Sequence, residues 1–252
     1  YESRYVSGVV AGMKLAQMIE DGTITAENAK IGYVGAFPFA EVISGFTSFF
    51  LGARSQCPSV TMEVRYTNSW GDMALEKETA EALIADGCVL ISQHADTTGA
   101  PSACEAAGVP CVGYNISMLP VAPNTALTSA AGDWGAYVTY AVKCLIDGEE
   151  IARDWCKGYA EGAVYTTELN DSIVAPGTAE KVAELEEAFK AGTVKVFDTS
   201  AFTVNGETLT SYTTAYGLEG IEMVSDGEFH ESSVRSAPYF DILIDGITAV
   251  VE

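Results

Sequence analysis

The chain has 252 residues, 48% of them hydrophobic, and 13 basic against 35 acidic side chains, a formal charge of −22. That length and apolar content suit one large domain or two lobes around a sizeable core, and not a disordered chain. The acidity argues against a nucleic-acid face and against docking on anionic lipid, since both need clustered Lys and Arg, and fits solubility in an exposed compartment.

No run of about 20 apolar residues is long enough to span a bilayer. The chain opens at Tyr1 inside a helical pattern, so the true N-terminus, with any signal or lipid-anchor segment, is expected to lie outside it. Six cysteines stand at 57, 88, 104, 111, 144 and 156, without a C-x-x-C pair, and His94 and His230 are the two histidines. No zinc pattern follows from that set. Cys88 and Cys111 sit in apolar runs as small buried residues. Cys144 and Cys156 flank a helix end and are the expected disulfide.

In chain order, Tyr5, Val9, Met13 and Ala16 predict a helix over 4–18, in which Gly8 and Gly12 lie one turn apart and permit close packing. Short apolar runs at 31–36, 62–67, 88–92, 111–114 and 126–128 predict strands. Most are separated by helical patterns: 40–53 with Val42, Ile43, Phe46 and Phe50 inward, a helix capped by Asp72 and closed by Gly87, and a short one near 102–107 ended by Gly108. Further helices are expected over 133–146 and 178–191, the latter with Thr178 as N-cap. The stretch 163–167 is strand-like. Asn205-Gly206 predicts a β-hairpin over 202–209. Residues 211–236 read as polar and irregular, and Tyr239 to Val251 as an apolar segment docked on the body.

The strand–helix alternation predicts a doubly wound, parallel α/β sheet, in which ligands bind at the carboxyl ends of the strands. Phe37, Phe39, Trp70 and Trp134 fall there, where a core does not require aromatics. A flat ligand can stack on such rings, although some of them could equally cap the sheet. One of Phe37 and Phe39 is expected to face the core, with Phe37 in the cleft. Asp96, Asn115, Asn68 and Asp133 add short polar groups at the same edge, able to read ring nitrogens or hydroxyls or to serve in turns and caps. His94 and Asp96 are expected to hold a ligand as a hydrogen-bonded pair. The residues show no nucleophile elbow, Walker-A loop, dinucleotide fingerprint or metal cluster, so no catalytic residue, cofactor or metal is assigned.

An ordered series of motifs then stands out: Tyr5-Val-Ser-Gly-Val-Val-Ala-Gly-Met13, Lys30-Ile-Gly-Tyr-Val-Gly-Ala-Phe-Pro38 with Glu41-Val-Ile43, Asn68-Ser-Trp-Gly-Asp72, Glu78-x-Ala80-Glu-Ala-Leu-Ile84, Gln93-His-Ala-Asp96, Gly113-Tyr114 and Leu127-Thr-Ser129 with Trp134. Over about residues 1–195 it resembles the basic membrane protein family, the PnrA-like substrate-binding lipoproteins of ABC importers. The resemblance implies a type I periplasmic-binding fold of two doubly wound lobes. Residues 1–29 would be part of lobe 1, 30–126 lobe 2, 127–195 the hinge return with elements of both lobes, and 196–252 a C-terminal extension, leaving the first lobe incomplete. It also implies a lipid-anchored extracytoplasmic protein that delivers a purine-type ligand to permease subunits. In that family phenylalanines sandwich the base, and Phe37 matches one of those positions. Asn115 stands where the family often has Asp, and Trp70 and His94 also depart from the nucleoside-receptor pattern, which leaves a free nucleobase or another flat heterocycle open beside a nucleoside. An enzyme acting on nucleosides or sugars through His94 and Asp96, and a sensory ligand-binding module, are the rival functions.

Overall fold

The computed structural model describes residues 1–215 and 218–250. Its strands are β1 (Lys30–Gly35), β2 (Thr61–Tyr66), β3 (Leu90–Gln93), β4 (Cys111–Tyr114), β5 (Ala126–Gly132), β6 (Val164–Thr166), β7 (Val224–Ser225), β8 (Glu228–Phe229) and β9 (Ile247–Val250). Its α-helices are α1 (Glu2–Glu20), α2 (Ala40–Gln56), α3 (Met73–Ala85), α4 (Gly99–Ala107), α5 (Trp134–Asp147) and α6 (Thr178–Lys190). Seven strands form one sheet in the order β6-β5-β4-β3-β1-β2-β9, parallel throughout except for the antiparallel β5–β6 pair.

The central strands are apolar on both faces because both faces are covered, as a parallel sheet requires. Ile31 and Tyr33 of β1 join one core with Val10, Phe46, Phe49 and Phe50 of α1 and α2. Val34 joins a second core with Leu83 of α3 and Ala103 of α4. The chain therefore leaves β1 for β2 through α2 and crosses back to β3 through α3. The strand order reverses between β1 and β3, and that reversal opens a crevice at their carboxyl ends.

Helices α1 and α2 meet backbone to backbone. A Cβ added at Gly8 would lie 2.0 Å from the Phe49 carbonyl oxygen, and one at Gly12 would lie 2.3 Å from that of Ala53. The glycine spacing is thus a packing device that sets α1 tightly on the sheet layer. Residues 1–29, expected with the first lobe, pack through α1 on α2 and on the β5–β6 end, so this helix shares the body of residues 30–126.

Several expectations need correction. Strand β5 runs on to Gly132, so Ser129 to Ala131, expected beyond the strand, are buried rungs of it. Cys144 and Cys156 are both free: Cys144 is the buried residue of α5, whereas Cys156 is exposed in the loop beyond it. Thr178 opens α6 instead of capping it; Gly177 is the N-cap and the Thr178 hydroxyl donates to the Ala175 carbonyl. The 202–209 hairpin shrinks to one bridge between Val204 and Glu207, although Asn205 and Gly206 do take the two positive φ angles, 53° and 80°, of a tight turn.

The stretch 211–236 is largely irregular but contains the β7–β8 pair; its Tyr216 and Gly217 lie outside the described residues. The final apolar segment docks as expected, with Phe240 fully buried and β9 extending the sheet in parallel beyond β2. Val251, the last residue of that expectation, also lies outside the described residues.

Candidate ligand-binding site

Five strand ends carry the site. Strand β1 closes its buried run at Ala36, and the next residues turn out of the core. Phe37 is half-buried and Phe39 is 53% exposed, so neither faces the core as one was expected to. The reason is local: Phe39 is the extended N-cap residue of α2, placed outside the helix that fills the core. The two rings stack on each other, centroids 5.1 Å apart and 12° from parallel. Trp70, from the loop after β2, closes on Phe37 at 5.5 Å and on Phe39 at 6.4 Å.

The row continues inward. Trp70 lies 6.4 Å from the ring of His94, and His94 lies 5.0 Å from that of Tyr114 at the end of β4. His94 is buried, and its packing depends on Gly45 of α2, where a Cβ would come within 2.6 Å of the imidazole. Burial, and then the positive charge of Arg4, hold the imidazole pKa well below its usual value. The ring is therefore neutral near pH 7, and the 4.0 Å approach of Glu41 is not an ion pair.

The expected His94–Asp96 pair does not form. His94 Nδ1 faces the Tyr33 hydroxyl at 3.4 Å. Asp96 is exposed and instead accepts from the Asn115 side-chain amide at 2.7 Å. Successive side chains of an extended segment point in opposite directions, but after β3 the chain turns, and the backbone N–H of Asp96 donates to the Trp70 carbonyl. Burial raises the Asp96 pKa, with Arg4 and Asn115 opposing the rise. Glu76 of α3 fixes the loop from beneath: fully buried, it takes the Thr97 hydroxyl at 2.7 Å and the Thr97 backbone N–H. Asn115 and Asn68 both occupy left-handed backbone, with φ of 65° and 53°, so part of their duty is to turn the chain.

Trp134 stands apart from the aromatic row. It is 77% exposed at the start of α5 and, with Asn115, Tyr114, Asp133, Tyr137 and Trp155, lines an open trough of about 430 Å³ beside the β4 and β5 ends. Asp133 caps α5, accepting the Gly135 N–H at 2.7 Å. The structure thus brings Phe37, Phe39, Trp70 and His94 into one row, joins Asp96 to Asn115, and places Trp134 in the neighbouring trough.

Sequence reasoning missed Arg4, Tyr33, Tyr114 and Glu76. Arg4 is 4% exposed, with its Nη1 donating to Tyr33 Oη at 2.8 Å and to the Gln93 carbonyl at 2.6 Å. Its guanidinium carbon sits 3.8 Å over the Tyr114 ring, a cation–π contact. The available signal was that Arg4 lies one turn before Ser7 and Gly8, on the packed side of α1. Among the described residues no cluster of His, Cys, Asp and Glu could hold a metal ion.

Comparison with known proteins bears on this geometry. A family model described as ABC transporter substrate-binding protein PnrA-like matches residues 1–197. A purine-binding protein of Brucella abortus is 35% identical over 198 residues, 78% of this chain and 53% of that protein. A putative ABC transporter glucose-binding protein of Haloferax volcanii is 32% identical over 222 residues, 88% of this chain and 54% of that protein. The chain therefore spans about half the length of the curated relatives it matches. Among solved structures, an ABC transporter solute-binding protein of Aeropyrum pernix superposes with a TM-score of 0.62 at 21% identity, covering 77% of this chain and 63% of that one. The fold is that of the periplasmic solute-binding proteins, and the chain belongs to the PnrA-like family of ABC transporter substrate-binding proteins.

Proposed function

We propose that this chain carries the ligand-binding surface of an extracytoplasmic receptor for an ABC importer, and that the ligand is a purine base or a related flat heterocycle handed on to permease subunits. The observation that carries this reading is the ring row Phe37–Phe39–Trp70–His94 at the β1/β3 strand reversal, beside the polar Asp96–Asn115 pair. A flat ring takes the free face of the row, gaining about 0.5–1.5 kcal/mol per stacked pair beyond its buried area. The paired carboxylate and amide add a donor and acceptors beside the stacked ring. The purine-binding relative supports the ligand class.

A sugar is the second reading, favoured by the relative named as glucose-binding. The enzyme alternative is weakened because His94 and Asp96 bond to different partners and His94 is buried, so the two do not act as an acid–base pair at the surface. Equilibrium dialysis of the full-length protein against adenine, hypoxanthine, guanosine, riboflavin and glucose tests the proposal. Retention of a purine above the others is expected. Retention of glucose alone, or of none, overturns it.

A further inference from the structure

Beside the trough lies a second, partly open pocket of about 230 Å³, lined by the starts of α1 and α2, the ends of β3 to β5, Cys156, Val164 and the tail loop 231–238. It shares Tyr114, Gly132, Cys156 and Ser236 with the outer trough, so the two adjoin. Besides the exposed Glu41, two charged residues line it, Arg4 from the body and Glu231 from the tail, each 4% exposed. Neither has an oppositely charged partner among the described residues. Among the described residues the Glu231 carboxylate accepts only from hydroxyls, that of Ser44 at 2.7 Å and that of Ser232. Arg4 Nη2 is buried with no hydrogen-bond partner at all among the described residues.

Removing unpaired charges from water is strongly unfavourable, and an idle buried donor adds to that cost. A ligand that satisfied both groups would offset it. A guanidinium only donates and a carboxylate only accepts, so that ligand must offer an acceptor to one and a donor to the other. The space is below the range of roughly 300–1,000 Å³ typical of drug-sized ligands. It suits a single small ring system.

We propose that this cavity reads the hydrogen-bonding edge of the ligand and that, on the purine reading on which this rests, it selects a 6-oxopurine base over adenine. The 6-carbonyl accepts from the Arg4 guanidinium, and the adjacent ring N–H donates to Glu231. Adenine reverses both polarities on that edge: it sets an amino donor against the guanidinium and a bare ring nitrogen against the carboxylate, and a site built for one pattern rejects the other. Glu231 lies beyond residues 1–197, the part matched by the family model, so the tail would add selectivity that the family-matched body does not supply.

Isothermal titration of the full-length protein with hypoxanthine and with adenine tests this, on the native chain, on Arg4→Gln and on Glu231→Gln. Hypoxanthine is expected to bind at least tenfold more tightly than adenine, and each variant to narrow that ratio. Glu231→Gln keeps the shape and the serine contacts, so it remains informative if Arg4→Gln fails to fold. Adenine binding as tightly as hypoxanthine, or a ratio unchanged in Glu231→Gln, overturns the inference and leaves the purine reading standing. Binding of neither base overturns both.

Discussion

Helices α2 and α5 carry equally plain apolar periodicity, and the fold treats them in opposite ways. In α2 every residue from Val42 to Ala53 is buried, pressed between the sheet and α1. In α5 Cys144 is the buried residue, while Trp134, Leu145 and Ile146 are 77%, 70% and 78% exposed. Periodicity states that a helix has a face to cover; it does not state what covers it. The difference also divides the site, since α2 starts from the tight Phe37–Phe39–Trp70 cluster and α5 from the open Trp134 trough.

The contrast can be broken by substitution. Phe46→Ala, at a fully buried ring packed on Tyr33, is expected to cost about 3–5 kcal/mol in urea unfolding. A cost near that of a surface site would show that α2 is not the core helix described. Next in size is a pH effect that reports on the buried side of the site. The folded-state pKa of His94 lies well below the unfolded value of about 6.5, so the unfolded chain binds the proton more readily. Stability should therefore fall as pH drops below about 6.5, by up to about 1.4 kcal/mol per pH unit from this residue, until the folded value is reached. His94→Gln should flatten that slope, and an unchanged slope would mean that the imidazole is accessible to protons in the fold. Smallest of all, Leu145→Ala on α5 should shift stability by no more than about 0.5 kcal/mol. A larger loss would show that the α5 face is covered in solution.

The strand ends were legible because β1 to β5 are short apolar runs closed by local signals, Asp72 and Gly108 among them, that act within a few residues. Phe37, Phe39, Trp70, Asp96 and Asn115 could be placed at one edge from that rhythm alone. Partner choice was not legible, because it is settled across the sheet. His94 found Tyr33 and Asp96 found Asn115, pairings 61 and 19 residues apart. Arg4 was hidden for the same reason: its partners Tyr33 and Gln93 lie 29 and 89 residues away. Glu231 sat in a polar stretch that carries no periodic signal, and its partner Ser44 lies 187 residues earlier. Strand β9 was readable as apolar but not as a sheet edge, since its neighbour β2 is distant in sequence.

The stacking of a flat ring at the β1/β3 strand reversal, as proposed above, is directly open to measurement. Trp70 sits in that ring row, whereas Trp134 and Trp155 line the neighbouring trough, so intrinsic tryptophan fluorescence of the full-length protein, titrated with hypoxanthine, reports on it directly. A saturable change is expected in the native chain and is largely lost in Trp70→Phe. No saturable change, or an undiminished one in Trp70→Phe, would contradict it.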